Sequence, residues 1–219
     1  MAELAVRKPI VVVGAGGFGR ETVDVIDALN VRADEPPWLL LGVVDDAPSE
    51  QNLQRLRARN IKYLGSCDQL IAGRQRPSFV IGIGSPMVRR ELAEKLELEG
   101  FEAASLVHPD ASIGSETFIG DGCVILAGAR LTTNITLGRH VHINPNATVG
   151  HDTIIGDYVS LNPACSISGD CTVEMGALIG VGAVVLNQLK VGSGATVGAS
   201  ACVVRNVSPI STVKGVPAR

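Results

Sequence analysis

The sequence predicts two joined folds: a short α/β, Rossmann-like half, followed by a parallel β-helix built from hexapeptide repeats. Three observations carry this. A Val, Ile or Leu recurs every six residues from Val107 to Val203 without a break. A G-x-G-x-x-G turn, Gly14 to Gly19, follows the apolar run Ile10–Val13. The composition, with 25 Gly and 3% aromatics in 219 residues, suits tight turns carrying small side chains.

With 46% apolar and 19% charged residues the chain has ample material for a core. A formal charge of −3 supplies no broad positive field for a nucleic-acid backbone, and the few aromatics offer no base-stacking surface. No apolar run reaches the roughly 18 to 20 residues that cross a bilayer. Met1 to Pro9 lacks the apolar middle of a secretory signal, so a cytoplasmic protein with no membrane or nucleic-acid partner is expected. The five cysteines are odd in number and contain no C-x-x-C pair, which points to reduced, buried thiols and no metal knuckle.

Residues 1–105 read as alternating strands and helices. The strand Ile10–Val13 runs into the glycine turn, which opens a helix to about Asn30 with Val23, Ile26 and Leu29 on one side. A second strand, Leu39–Val44, ends at Asp45-Asp46. A third, Phe79–Gly84, precedes a helix through Arg89 to Leu98. Parallel βαβ units connect such elements. A glycine turn followed by an acid at the next strand end is also the dinucleotide fingerprint. A nicotinamide enzyme would need a second catalytic domain that this half has no room for. A sugar-linked nucleotide needs the same features: helix N-terminal N–H groups for its diphosphate and carboxylates for ribose or base edges. A purely structural turn is the alternative.

Residues 106–219 carry the repeat. Seventeen positions, Val107, Ile113 and so on to Val203, are Val, Ile or Leu, and four residues after each comes a second, mostly small, candidate for the interior such as Cys123, Ala147, Cys165 or Cys171. A period of six fits neither a 3.6-residue helix nor plain strand alternation, but suits a short strand plus a turn around an axis. Each buried Val, Ile or Leu contributes about 1.5–3 kcal/mol, so stacked rows offset the ordering cost that one unit could not. The chain here resembles the hexapeptide-repeat acyltransferases, as does its ending Gly215-Val216-Pro217-Ala218-Arg219. That resemblance implies a left-handed helix with three hexapeptides per coil, so seventeen units make nearly six coils.

With three units per coil, residues eighteen apart stack about 4.8 Å from one another. Cys123, Cys165 and Cys171 then fall on three different faces, as fillers. The segment His140–Asp152 breaks the apolar monotony with three histidines and two asparagines. His151 stands at a non-core position, and the residue one coil above it is Gly169, which leaves space for a thioester and offers a backbone N–H. Imidazole, with an ordinary pKa near 6.5, suits proton removal from an attacking amine or hydroxyl. Asp152 follows at once and could orient the ring, provided a turn brings the two side chains together. Asn144 lies under Asn162, a ladder that serves either the turns or a substrate.

Together the two halves resemble a narrower family, the bacterial sugar acyltransferases that include UDP-4-amino-sugar N-acetyltransferases and sialic-acid O-acetyltransferase-like proteins. The resemblance runs from about Pro9 to Arg219. It implies that the N-terminal domain holds the nucleotide of the substrate through Gly14, Gly16, Gly17, Asp45 and Asp46. It further implies that His151 is the base with Asp152 behind it, that Asn144 contributes to substrate binding, and that Gly169 faces the acetyl group. Acetyl-CoA, as co-substrate, would lie between subunits of a homotrimer. Some members carry another histidine near the coenzyme nine residues after the base; here that place is Ser160, with His142 one coil below as a stand-in.

The expected function is acetyl-CoA-dependent N-acetylation of a UDP- or GDP-linked 4-amino-deoxysugar by direct attack, with no metal. O-acetylation of a sialic-acid-like sugar is the alternative. A zinc β-helix enzyme would draw on His140 and His142, but His151 is not a coil multiple from either. A non-enzymatic scaffold leaves the histidine cluster without a purpose.

Overall fold

The computed structural model describes residues 7–219. The N-terminal half is a three-stranded parallel sheet in the order β2-β1-β3, with β1 Lys8–Val13 between β2 Trp38–Val44 and β3 Ser78–Ile81. Helix α1 (Gly17–Arg32) links the first two strands, and α2 (Glu50–Ala58) and α3 (Cys67–Ala72) lie in the second crossover. Helix α4 (Pro86–Leu98) follows β3. The short polar helices α2 and α3 were not among the expected elements. Each is set by a serine cap: Ser49 Oγ accepts from Asn52 N, and Ser66 forms a capping box with Gln69.

From Leu106 the chain winds into a left-handed β-helix of about six coils, whose two-residue strands build faces of seven, six and five strands. From Leu106 to Val203 the strand pairings join residues eighteen apart, as in His142↔Ser160, Thr148↔Ser166 and Ile154↔Thr172; the final strand shortens the step to sixteen, with Thr196 opposite Thr212. From Ile125 to Val203 each member of the six-residue series is fully buried in one continuous core. The first coil departs from expectation. Val107 and Ile119 are only partly buried and Ile113 is 36% exposed, because no coil lies below them.

A second six-residue series sits in the corners. Every sixth residue from Glu116 to Ser200, whether Gly, Asn, Asp, His, Tyr or Ala, has a positive φ near 55–75°. Each corner thus turns through one left-handed residue, a conformation most side chains resist and here imposed by the stacked coils.

The α/β half docks on the seven-stranded face. The outward row of that face begins with Leu106 and Val124, which share a core with Ile10, Val12, Val23 and Ile26. Next in the row come His142 and Ser160, 1% and 2% exposed. The His142 ring stacks on Phe18 in the first turn of α1, with centroids 4.4 Å apart and both ring nitrogens unpartnered. His140 is sandwiched between Phe79 and Tyr158, at 6.0 and 5.4 Å, and its Nε2 lies 3.1 Å from Glu97. Arg89 of α4 has no exposed surface. It donates to the carbonyls of His140 (2.9 Å), Tyr158 (2.6 Å), Val159 (3.3 Å), Ile83 (2.8 Å) and Gly84 (3.3 Å), and to Ser160 Oγ (3.0 Å).

This docking predicts acid sensitivity. Burial pushes His142 well below the ordinary histidine value, helped by Arg89 and His140; burial also lowers His140, against the pull of Glu97. The unfolded chain takes up these protons below about pH 6.5, while the folded chain resists them. Stability is therefore full above that pH and falls as pH drops through it. Thermal melts from pH 7.5 to 5 should show the loss, and His142→Phe, which keeps the stack on Phe18, should reduce it. Equal slopes for the two proteins would refute this account.

Candidate functional site

His151 and Asp152 occupy the corner between the six-stranded and five-stranded faces, the edge of the prism opposite the docked domain. Asp152 is the left-handed residue of that corner, with φ 59°. This conformation supplies the turn the pair needs: His151 Nδ1 lies 2.6 Å from Asp152 Oδ2. On the other side of the carboxylate, Asn134 Nδ2 donates to Oδ1 at 2.6 Å. The hydrogen bond from Asn134, then that from His151, holds the Asp152 carboxyl below its ordinary pKa. The carboxylate accepts from Nδ1–H, which leaves Nε2 as the imidazole's free acceptor.

Gly169 sits directly over the ring. A Cβ built there would come within 2.6 Å of both Cε1 and Nε2 of His151. Among the described residues, the Gly169 N–H has no acceptor. The ring remains 58% exposed, with the apolar side chains of Ile154, Leu186 and Val204 also open to solvent along this edge. Asp170, one coil above Asp152, completes a group whose three ligand atoms lie within 4.8 Å of one another. All three residues are exposed, and Asp152 is already engaged by Asn134.

Other expected residues lie elsewhere. Asn144 is in a different corner, between the seven- and six-stranded faces, where its Nδ2 donates to Leu161 O at 3.0 Å. His142 and Ser160 need correction. As part of the docking interface they are buried under α1 and α4, and neither side chain reaches a surface along which a coenzyme could run. Nor do His140 and His142 converge as metal ligands, since Glu97 and Tyr158 hold one and Phe18 faces the other. Burial raises the thiols of Cys123 and Cys165 to about 12 and also raises Cys171, so none is a ready nucleophile.

The N-terminal half contains a cavity of about 420 Å³ at the carboxyl ends of the strands. Its lining includes Gly14, Asp45, Asp46, Ile83, Glu91 and Lys95. Gly14 has φ 111° and faces Ile83 and Gly82 too closely for any side chain, so its role is to make the turn. Gly16 and Gly17, by contrast, have open space where a Cβ would stand. Asp45 spends its two oxygens on the N–H groups of Ala15 (2.8 Å) and Ala47 (2.9 Å), tying the end of β2 to the glycine turn. Asp46 Oδ1 accepts from Cys67 N at 2.7 Å. Asn134, Arg89 and Glu91 were missed by sequence reasoning. Asn134 stands eighteen residues before Asp152, so the coil spacing itself was the available signal.

Residues 9–96 match the PglD N-terminal domain family. Over 172 residues the chain is 31% identical to the GDP-perosamine N-acetyltransferase of Escherichia coli O157:H7, a match covering 78% of this chain and 75% of that protein. Among solved structures, it resembles the acetyltransferase domain of PglB from Neisseria gonorrhoeae FA1090 in complex with acetyl coenzyme A. The TM-score is 0.81 at 27% identity, over 98% of this chain and 99% of that one. It also resembles PerB from Caulobacter crescentus in complex with CoA and GDP-perosamine, with a TM-score of 0.78 and 26% identity over 100% of this chain and 99% of that one. The match to the Escherichia coli enzyme takes in most of both chains, and the likeness to the two solved structures extends across the docked α/β half as well as the β-helix. The chain therefore belongs to the hexapeptide-repeat sugar acyltransferase family.

Proposed function

We propose that this enzyme transfers the acetyl group of acetyl-CoA to the amine of a nucleotide-linked amino sugar, with His151 as general base. The observation that carries the reading is the chain Asn134–Asp152–His151 ending beneath a bare glycine. With Nδ1 committed to Asp152, Nε2 is the atom that takes the proton as the sugar nitrogen attacks the thioester carbon. The C–S bond then breaks and coenzyme A leaves as the thiol, its proton returned by the imidazolium. The free Gly169 N–H is placed to donate to the developing oxyanion. The nucleotide occupies the cavity beside Asp45, Asp46 and the open Gly16 and Gly17.

In one chain these two sites lie on opposite sides of the prism, and the His151 edge has an open, partly apolar surround. A homotrimer resolves this, with a neighbouring copy walling the His151 edge and acetyl-CoA held along the groove between copies. The test is an assay with acetyl-CoA against UDP- and GDP-linked 4-amino sugars and free sialic acids, read by product mass and linkage. One acetyl group on the amine of a nucleotide sugar is expected. Acetylation of a free sialic-acid hydroxyl, with none on the amine, would replace this reading with O-acetylation.

A further inference from the structure

We infer that Arg89 is a buried counter-charge for the diphosphate of the substrate, and so a specificity determinant for nucleotide-linked sugars. The inference rests on the nucleotide reading of the N-terminal cavity. Three observations carry it. First, the guanidinium has no exposed surface, and all of its hydrogen-bond acceptors are neutral: five backbone carbonyls and the Ser160 hydroxyl. Among the described residues it joins no ion pair, unlike Arg57, Arg59, Arg90 and Arg139. Burial draws its pKa down to about 9, the mark of a cation lacking an internal partner.

Second, the turns around it are prepared for an anion. Helices α2 and α3 begin with serine caps, but α1 and α4, the two longest, begin with no side-chain cap. Both start at the carboxyl ends of the adjacent strands β1 and β3, where the first-turn N–H groups of α1, and those of α4 after Pro86, which itself has none, point toward an anion. Gly16, Gly17 and Gly84 beside them have open space above the backbone. Arg89 holds the second of these turns from below, donating to the Ile83 and Gly84 carbonyls, while Ser160 Oγ donates to Gly84 O at 3.1 Å.

Third, His142 lies in the same layer, paired in register with Ser160 and stacked on Phe18 at the start of α1. It is buried, and both of its nitrogens lack a partner. A polar layer buried between two uncapped turns, holding one net positive charge, is electrostatically incomplete until an anion occupies the turns above it. A diphosphate spanning both helix N-termini completes it; a neutral nucleoside or a free sugar does not.

The test is calorimetric titration of the full chain with GDP, UDP, guanosine and uridine. Wild type should bind each diphosphate more tightly than its nucleoside. Arg89→Lys and Arg89→Gln both lose the guanidinium fork, so fold damage is common to them, but only the lysine keeps the charge. Arg89→Gln should lose roughly tenfold or more of the diphosphate preference, with most of it kept in Arg89→Lys. Because Arg89 also bolts the two halves together, Ser160→Asp gives a second route. It leaves the arginine in place and sets a carboxylate beside Nη2, and should erase the preference to a similar extent. If wild type prefers the diphosphates and both Arg89→Gln and Ser160→Asp keep that preference, the counter-charge role is overturned and the nucleotide reading stands. If wild type shows no preference for the diphosphates, the nucleotide reading itself fails.

Discussion

Replacement of His151 by alanine is expected to lower kcat by about 10²–10⁴, the range set by loss of a positioned general base. The fold should not suffer, because the side chain is 58% exposed and its hydrogen bond is to a carboxylate at the surface. KM for acetyl-CoA and for the nucleotide sugar should move little, so the loss belongs to the chemical step. Asp152→Asn should cost less. It keeps a polar group beside Nδ1 but removes the charge that favours the imidazolium formed during proton transfer. Steady-state kinetics on the two variants, with a thermal melt as control, checks both statements. A His151→Ala enzyme that retains wild-type kcat would remove the base from this corner.

Gly169→Val is expected to reduce turnover by about 10-fold to 10²-fold without unfolding the coil. The argument is local. The Gly169 φ lies outside the left-handed region, so the backbone accepts a side chain there. The imidazole below does not, because a Cβ would stand 2.6 Å from Nε2 and the ring must swing away from its orienting carboxylate. The signature is a fall in kcat with an unchanged melting temperature, and Gly169→Ala should show the same effect more weakly. Full activity in the valine variant would mean the ring works from some other position.

The solenoid and the neighbours in its candidate corner were legible because a repeat converts sequence distance into spatial distance: His151 beneath Gly169 followed from counting eighteen residues. The same count sets Asn134 beneath Asp152, but an asparagine in a turn has an ordinary reason to be there and by itself signals no chemistry. Arg89 was beyond sequence reasoning. On an amphipathic helix an arginine reads as a solvated residue, and only the docking of α4 onto the corner of His140 and Tyr158 takes it out of water. The misplacement of His142 and Ser160 has the same origin. Spacing gave their coil and their face, but not that this face is the covered one. Its apolar outward residues, Leu106 and Val124, were an ambiguous sign of a lid, since outward strand positions left in the open carry Ser112, Arg130 and Lys190 but also Phe118 and Ile154.

The pairing of residues eighteen apart, kept from Leu106 to Val203, also dictates which changes of length that stretch can absorb. Adding or deleting one whole coil above Asp170 alters only the height of the rod and returns every later side chain to its former compass direction. A single inserted residue would instead send the downstream core outward and its polar partners inward, the fate of any slipped strand. Gene-level insertions and deletions in such a rod should therefore be tolerated in quanta of eighteen, or else collect in the α/β half, where loops can swell without a phase to keep.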